Sequence, residues 1–316
     1  MTVLTVQDLL GSRAAELKLT LVAGAEYCHR PIREPAVNRP GLALTGFYRY
    51  FANRRVQICG LAEMTYLKTL PPEERADRWA RLFAANIPCL ILARNLRATP
   101  DLLEAARRHR TPVLRTGLHT SRLAQIAARI IEDLTAPSAR VQGTTVDMQG
   151  IGIMIEGPPG IGKSEIALGL LHKGCSLVAD DVTELRRLSS GLIASSAEVT
   201  RYHMEIRGIG IIHVPSLLGV ASVRREKRLD MVVRLEPADP STATVERAGL
   251  EPEMVDLLGV PVPRVVIPVA PGRDITHIIE VAALNLRLRQ LGHDAAKELD
   301  QQVIESLLRE TGRVND

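Results

Sequence analysis

The stretch IGIMIEGPPGIGKSEIALGLLHKG, residues 151–174, decides the fold of the C-terminal half of this chain. It begins with an apolar run typical of a buried strand, passes through G-x-x-x-x-G-K-S at residues 157–164, and ends with helical periodicity. Strand, glycine-rich loop and helix in this order predict a phosphate-binding loop (P-loop), whose backbone N–H groups and helix dipole face phosphates. A simple Gly/Pro-rich turn, the alternative, would not require the Lys-Ser pair at its end.

The P-loop assigns a role to each of its residues. We expect Lys163 to supply a mobile cation for the β- and γ-phosphates of a nucleoside triphosphate, and the Ser164 hydroxyl to ligate magnesium. The rest of the loop surrounds the phosphates with its backbone. The nucleotide-binding residues predicted from the motif are Gly157, Pro158, Pro159, Gly160, Ile161, Gly162, Lys163 and Ser164.

Charged residues in two later segments are candidates for the rest of the site. Asp180 and Asp181 close the apolar run of CSLVADD, and a strand continuing through them would turn one toward a metal and the other, as a base, toward the acceptor hydroxyl. A solvated strand end with a turn-initiating Asp pair is the alternative. In MEIRGIGIIHV (204–214), Glu205 and Arg207 share one face of an extended segment, which suits a metal ion and phosphate oxygens respectively. A surface ion pair explains that spacing equally well.

The composition limits the classes of protein that this chain can be. Its 316 residues, 46% hydrophobic and 24% charged, suffice for two globular domains with their own cores. The formal net charge of +4 is spread along the chain and aromatic residues make up 3%, so nothing indicates a nucleic-acid partner. The N-terminus does not read as a signal peptide, and no apolar run approaches the about 20 residues of a membrane span. We therefore expect a cytoplasmic protein with no membrane partner.

The four cysteines also agree with a reducing compartment. Cys28, Cys59, Cys89 and Cys175 lie far apart and form no CxxC pair. Buried free thiols are therefore expected, rather than a disulfide framework or a zinc site.

The pattern of apolar runs changes in the middle of the chain. Up to about residue 133, short apolar runs alternate with amphipathic segments, which predicts a small α/β domain with a parallel or mixed sheet. The segment TAPSAR (135–140) contains residues that favour turns, and apolar runs typical of strands follow it. We therefore predict domains at 1–134 and 135–316. The segments predicted as strands are 17–24, 55–60 and 87–94, and those predicted as helices are 71–86, 99–110, 118–134, 275–292 and 294–311.

Several motifs in this order resemble the HPr kinase/phosphorylase family. They are GPPGIGKSE, LVADD, EIRGIGII, RREKRLDMVVRLE, VPRVVIPVAPGRD and IIEVAALNLRLRQLG, with RPGLALTGFYRYFANRRVQICG and LPPEERADRWARLF in the N-terminal half. The resemblance covers nearly the whole chain and implies a regulatory α/β domain followed by a P-loop kinase domain similar to phosphoenolpyruvate carboxykinase. It also implies a hexamer that uses ATP or pyrophosphate to phosphorylate a serine of HPr, the phosphocarrier of the sugar phosphotransferase system. Members remove that phosphate by phosphorolysis.

By position, the resemblance also implies roles for individual residues. Lys163 would bind phosphates, and Ser164 with Glu205 would hold Mg²⁺. The Asp180–Asp181 pair would contain the catalytic base, with Asp181 favoured.

Three further features match the family's pattern. Arg247, in TVERAGLE, matches an arginine near the transferred phosphate. Residues 204–213 correspond to the catalytic signature, and residues 268–273, PVAPGR, to the segment associated with dephosphorylation.

Two departures from the family bear on this expected activity. Gln142 precedes Gly143 where the family has an active-site His, and Gln cannot carry a positive charge or transfer a proton near neutral pH. Pro158 and Pro159 stand where the family's loop more often has polar residues. The balance of the two activities is therefore open. The alternatives are a kinase of the same architecture for another protein or a small molecule, and a non-catalytic nucleotide-sensing regulator.

Overall fold

The structure of the protein, a computed structural model, describes residues 4–238, 253–270, 272–294, 298 and 301–302, with residues 12 and 13 described by their backbone alone. It divides into two units, Met1–Ala136 and Pro137–Asp316. Among the residues that it describes, every helix is too short or too polar to span a bilayer.

The N-terminal unit is built on one mixed sheet. Its strands are β1 (Thr20–Ala23), β2 (Val37–Asn38), β3 (Val56–Cys59), β4 (Leu90–Leu92) and β5 (Val113–Arg115), and its helices are α1 (Gly41–Leu44), α2 (Leu61–Lys68), α3 (Pro72–Ala84), α4 (Pro100–Arg108) and α5 (Thr120–Thr135). The strand order is β1-β5-β4-β3-β2. Strands β2 to β5 run parallel, and β1 pairs antiparallel with β5.

Helices cover both faces of this sheet, and its central strands β3 and β4 are buried along their whole length for that reason. In β3, Val56 and Ile58 pack into the core cluster that contains residues of α5, whereas Cys59 packs into the cluster around Trp79 of α3. The predicted α/β class, strands and helices of this half are confirmed, with shorter strands. The run at 17–24 forms a strand only from Thr20, because a preceding 3-10 helix ends at the left-handed Lys18.

The C-terminal unit contains twelve strands and three helices among the described residues. The strands are β6 (Ser138–Gln142), β7 (Thr144–Met148), β8 (Ile151–Glu156), β9 (Ser176–Ala179), β10 (Val182–Leu188), β11 (Gly191–Ser195), β12 (His203–Ile206), β13 (Gly210–His213), β14 (Glu226–Arg228), β15 (Met231–Pro237), β16 (Glu253–Leu257) and β17 (Val260–Val269). The helices are α6 (Lys163–His172), α7 (Val214–Leu218) and α8 (Ile275–Gln290). The predicted helix at 275–292 is confirmed, whereas that at 294–311 lies almost wholly outside the described residues.

A six-stranded sheet, in the order β16-β17-β15-β8-β7-β9, forms the centre of this unit. Period-2 alternation divides its side chains between two cores. In β8, Ile153 and Ile155 pack with residues of α6 and α8, whereas Met154 packs with residues of a four-stranded sheet in the order β14-β11-β10-β6. The central sheet thus has helices on one face and a second sheet on the other.

Strand directions decide where the loops of this unit meet. Strands β8, β15 and β17 run parallel, while β7 is antiparallel to β8 and β9 is antiparallel to β7. The carboxyl ends of β8, β9, β15 and β17 and the amino end of β7 therefore lie at one edge of the sheet, where open α/β sheets commonly bind ligands.

Candidate active site

The P-loop lies at this edge, between the carboxyl end of β8 and the amino end of α6. Gly157, Gly160 and Gly162 all have positive φ, at 153°, 79° and 100°, a backbone conformation that residues other than glycine rarely adopt. A Cβ on Gly157 would lie only 2.8 Å from the backbone oxygen of Leu235 in β15. The glycine spacing is thus required both by backbone conformation and by the close approach of the neighbouring strand.

Lys163 is held within the loop that it follows. Its ammonium donates to the carbonyl oxygens of Gly157 at 3.1 Å and Pro158 at 3.4 Å, and the residue is only 8% exposed. Both acceptors are neutral carbonyl groups. No carboxylate among the described residues forms an ion pair with this ammonium. The cation is therefore available to phosphate oxygens at the mouth of the loop.

Asp180 is the centre of the hydrogen-bond network at this edge. Its Oδ1 accepts from the hydroxyls of Ser164 at 3.0 Å and Thr144 at 2.8 Å. Its Oδ2 accepts from the backbone N–H of Glu205 at 3.1 Å. One carboxylate thus joins the P-loop helix, the start of β7 and the β12–β13 hairpin.

Asp181 has different surroundings from its neighbour. The strand ends at Ala179 rather than continuing through the acidic pair, so the two aspartates form the bend between β9 and β10. Asp181 has a left-handed φ of 59° and is exposed, and no described residue bonds to its carboxylate. Its backbone oxygen accepts from Gly143 N–H at 2.7 Å. The carboxylate is thus free in solvent, while the backbone is tied to residues next to Gln142.

The β12–β13 hairpin places Glu205 and Arg207 beside the loop. Exposure alternates along residues 203–207, which puts both side chains on one face, as predicted, and that face is exposed. A Cβ built on Gly160 would lie 3.8 Å from a guanidinium nitrogen of Arg207. The two side chains form no ion pair with each other in the described part of the chain. That arrangement favours the ligand interpretation of this pair over a surface salt bridge.

A cavity of about 580 Å³ lies next to the P-loop. Gln142, at the end of β6, shares its lining with Gly157 and Pro158 of the loop. Arg234 and Glu236 of β15, which form an ion pair at 2.9 Å, also line it. The structure therefore places Gln142, which stands where the family has a histidine, in the same cavity as the phosphate-binding backbone.

Not every predicted site residue can be placed. Arg247 lies outside the described residues. Of residues 268–273, all but Pro271 are described, and they follow the end of β17 at the same edge as the P-loop. The backbone oxygen of Val269 accepts from Ala238 N–H at 3.1 Å, which ties this segment to the end of β15.

Sequence reasoning missed three residues of this edge. Thr144 is buried, and nothing in its sequence context distinguishes it from any strand threonine. Arg234 and Glu236 could have been found, because they are charged residues near the end of an apolar strand, the same signal that singled out Asp180. Among the described residues, no group of three or more His, Cys, Asp and Glu side chains is arranged to hold a metal ion.

Comparison with known proteins identifies the family. The family model described as HPr Serine kinase N terminus matches residues 4–131, and that described as HPr Serine kinase C-terminal domain matches residues 133–303. The chain resembles, among solved structures, the HPr(Ser) kinase/phosphatase from Coxiella burnetii, with 31% identity, a TM-score of 0.46, and coverage of 51% of this chain and 98% of that one.

Curated proteins match over almost the full length. The HPr kinase/phosphorylase of Geobacillus kaustophilus is 40% identical over 92% of this chain and 94% of its own. That of Caldanaerobacter subterraneus subsp. tengcongensis is 41% identical over 92% of this chain and 96% of its own. The predicted family, two-part α/β architecture and enzyme class are thereby confirmed, and the chain belongs to the HPr serine kinase family of protein serine kinase/phosphorylases.

Proposed function

We propose that this protein phosphorylates a serine of the phosphocarrier HPr with ATP or pyrophosphate, and removes that phosphate by phosphorolysis. The observation that carries the proposal is the convergence on Asp180, which joins the P-loop serine, the buried Thr144 and the hairpin that bears Glu205. This network lies beside the P-loop at one edge of the central sheet, where the carboxylates of Asp181 and Glu205 have no hydrogen-bond partner among the described residues. Phosphoryl transfer depends on such positioning more than on covalent chemistry of the protein.

The donor is held by the P-loop in this proposal. Backbone N–H groups of Gly157 and residues 160–164 and the Lys163 ammonium bind its phosphates, and Arg207 contributes a guanidinium from the hairpin. The oxygen donors Ser164 and Glu205 would hold a magnesium ion, since the Ser164 hydroxyl and the backbone N–H of Glu205 both bond to Asp180 and Mg²⁺ is usually held by few protein oxygens together with phosphates. Bound magnesium supplies charge neutralisation on the transferred group.

Asp181 is the proton carrier that we propose. In phosphorylation the serine oxygen bonds to the transferred phosphorus as the bond to the leaving phosphate breaks, and the Asp181 carboxylate accepts the hydroxyl proton. In phosphorolysis an oxygen of inorganic phosphate attacks the phosphoserine, pyrophosphate forms, and Asp181 returns the proton to the serine oxygen. Its exposed carboxylate supports this role. Asp180, engaged by three donors, is a positioning residue.

Gln142 bears on the balance of the two reactions. It lines the cavity beside the loop, where an amide can orient a phosphate or a serine by hydrogen bonds. It cannot supply the positive charge of an imidazolium. We propose that both reactions persist with the phosphorolytic direction weakened, and that Gln142→His strengthens it.

Other properties rest on the family resemblance. We propose a regulatory domain at 1–134, a catalytic domain at 135–316, a hexamer, a cytoplasmic location, and a role for Arg247 near the transferred phosphate. Sedimentation equilibrium tests the hexamer, and Arg247→Ala with HPr as acceptor tests the arginine.

The activity is tested with labelled ATP, magnesium and HPr, followed by excess phosphate. Lys163→Ala is expected to abolish labelling of HPr, because the cation of the loop is lost. Lys173→Ala is the matched control: this half-exposed lysine at the end of the same helix pairs with Glu280 at 3.6 Å, and its removal should leave labelling unchanged.

The second step distinguishes the proposal from its alternatives. If HPr becomes labelled and added phosphate then releases the label as pyrophosphate, the result supports the bifunctional enzyme. If HPr is labelled and phosphate cannot remove the label, the protein is a kinase only. If another acceptor is labelled but HPr is not, the substrate is different. Nucleotide binding without any transfer implies a nucleotide-sensing regulator. Near wild-type labelling by Lys163→Ala would show that the loop assignment is wrong.

A further inference from the structure

Two histidines lie side by side on the β12–β13 hairpin. His203 is the first residue of β12 and His213 the last residue of β13, and the register places them directly opposite each other. The backbone N–H of Val214 donates to the oxygen of Tyr202 at 2.9 Å, so the two histidines form a non-hydrogen-bonded pair of the ladder. Side chains in such a pair approach each other more closely than those in the alternating hydrogen-bonded pairs. The strand pairing therefore brings two imidazoles together.

The distance between the two rings suits chelation of a single ion. Their centroids are 5.0 Å apart, and the ring planes are inclined by 47°. Two imidazoles that bind one Zn²⁺ at about 2.0–2.1 Å with tetrahedral geometry have ring centroids about 5 Å apart. Both histidines are exposed, so an ion from solution can reach them. The pair thus has the separation and the access of a two-histidine chelate.

Hydrogen bonds of the rings determine which nitrogens remain for an ion. The Nδ1 of His203 donates to the backbone oxygen of Arg201 at 2.9 Å, because a carbonyl group can only accept. The Nδ1 of His213 lies 2.7 Å from the hydroxyl of Ser216, which can accept from it. The Nε2 atoms of both rings have no hydrogen-bond partner among the described residues. Histidines that bind metals usually donate their other N–H to a neighbouring acceptor, as both rings do in this arrangement.

The donor atoms also determine which ion the pair can hold. Imidazole suits Zn²⁺, Ni²⁺ and Cu²⁺, whereas Mg²⁺ prefers oxygen ligands. Glu205, the proposed magnesium ligand, is two residues along β12, about 7 Å away by the rise of a strand. We infer that His203 and His213 chelate a divalent transition-metal ion such as Zn²⁺ through their Nε2 atoms, at a site separate from that of magnesium. Water would complete the coordination, since no third ligand among the described residues is grouped with the pair.

An ion at this position links the two strands of the hairpin. Strands β12 and β13 form a sheet of two strands, and the histidines lie at the end away from the connecting turn. A sheet of two strands is only marginally stable by itself. Because each strand contributes one ligand, Zn²⁺ should slow amide hydrogen exchange in residues 203–213. Exchange that Zn²⁺ leaves unchanged would overturn the cross-strand chelate.

Calorimetric titration with Zn²⁺ measures the affinity directly. The full-length chain is used without a polyhistidine tag, and excess Mg²⁺ occupies the oxygen ligands. We expect one saturable site per chain. His203→Asn and His213→Asn should each weaken Zn²⁺ binding by at least about tenfold, because the chelate loses one of its two protein ligands. Unchanged affinity in either variant would overturn the inference.

Two control variants separate this site from others. His172→Asn removes an exposed histidine at the end of α6 in the same unit and should change the Zn²⁺ affinity by less than about twofold. Glu205→Gln removes the proposed magnesium ligand and should retain Zn²⁺ binding. Equal weakening by His172→Asn would overturn the inference, because any exposed histidine would then explain binding. Loss of Zn²⁺ binding through Glu205→Gln would place the ion at the magnesium site and also overturn it.

Modification of the wild-type chain by diethyl pyrocarbonate tests the site without any variant. Peptide mass spectrometry should show that Zn²⁺ protects both His203 and His213 from the reagent and leaves His172 reactive. Protection of only one histidine of the pair, or of neither, would overturn the inference. Thermal unfolding without metal establishes that the variants are folded, and if one is not, the protection experiment decides.

Discussion

At the scale of single residues, two adjacent aspartates have different environments, and the roles that we propose for them follow from that difference. Asp180 is half-buried and accepts from three donors, whereas Asp181 is exposed with a carboxylate that no described residue occupies. A base needs a free lone pair directed at solvent or substrate, and a positioning residue needs fixed partners. The bend after β9 gives the first aspartate of the pair fixed partners and leaves the carboxylate of the second exposed.

Replacement of Asp181 tests this division. Asp181→Asn is expected to lower kcat/KM for HPr phosphorylation by about 10²–10⁴-fold, because the amide cannot accept the serine proton. Thermal stability should stay unchanged, since the side chain is exposed and Asn tolerates the left-handed backbone. Asp180→Asn should instead lower stability and raise the Mg²⁺ concentration required. If Asp180→Asn removed the chemical step while Asp181→Asn retained it, the roles would be reversed.

Gly157 and Gly174 both have positive φ but differ in their neighbours. Gly157→Ala is expected to cost about 2–4 kcal/mol and to abolish nucleotide binding, because the new Cβ meets the Leu235 backbone oxygen at 2.8 Å. Gly174→Ala is the matched control, since Gly174 also has positive φ but nothing lies within 4 Å of its Cβ position. It should cost about 1–2 kcal/mol and leave binding intact. Urea unfolding and nucleotide titration measure both effects, and equal losses would contradict the steric argument.

At the scale of secondary-structure elements, the start of α8 depends on one side chain. Asp274 is its N-cap, and its Oδ1 accepts from the hydroxyl of Thr276 at 2.6 Å and the N–H of His277 at 3.1 Å. The bond from Thr276 is the main cause that lowers the pKa of Asp274 below its ordinary value of 3.8, with His277 next. The cap therefore stabilises α8 in its ionised form.

This cap makes stability depend on pH with a definite sign. A lowered pKa means that the contribution is present above the ordinary value and is lost as pH falls through the lowered one. Asp274→Ala should therefore lower the unfolding midpoint at neutral pH, with the difference from wild type shrinking in acid. Asp274→Asn keeps a capping oxygen without a charge and should make the contribution independent of pH. A difference that grew in acid would contradict this account.

At the scale of the whole molecule, each unit carries its own cores. Two buried clusters lie wholly within residues 4–131, and two others within residues 146–283. A fragment of residues 1–136 expressed alone is therefore expected to unfold cooperatively in urea, monitored by the fluorescence of the buried Trp79. A gradual, non-cooperative loss of signal would show that its cores depend on the remainder of the chain.

The four thiols give a second test at this scale, because all are free and buried, as predicted. Burial, followed by the charges of Glu280 and Asp147, raises the pKa of the Cys175 thiol to about 11, and burial likewise raises those of Cys59 and Cys89. The native protein should not react with iodoacetamide at pH 8, whereas the denatured protein should react at all four cysteines.

The raised pKa values of the buried thiols determine whether stability rises or falls with pH. Unfolded thiols ionise near their ordinary value of 9.0, whereas the folded ones stay neutral. Stability should therefore fall as pH rises from about 9 toward 11. Rapid labelling of native protein at pH 8 would contradict the burial.

Features that depend on local chemistry can be predicted from the order of the residues alone. Strand, loop and helix around residues 151–174 follow from apolar periodicity and glycine spacing, and the helices of the N-terminal half follow from their amphipathic patterns and initiating prolines. The residue types at Lys163, Ser164 and Glu205 indicated phosphate and magnesium chemistry without any coordinates. These signals are readable because each involves neighbours within one or two turns of the chain.

Contacts between residues distant in sequence depend instead on the three-dimensional fold. Thr144 reaches Asp180 because β7 runs between β8 and β9, and Gln142 lines the loop cavity because β6 ends at the same edge. Sheet order and strand direction are set by long-range packing, which leaves no periodic signal in the sequence.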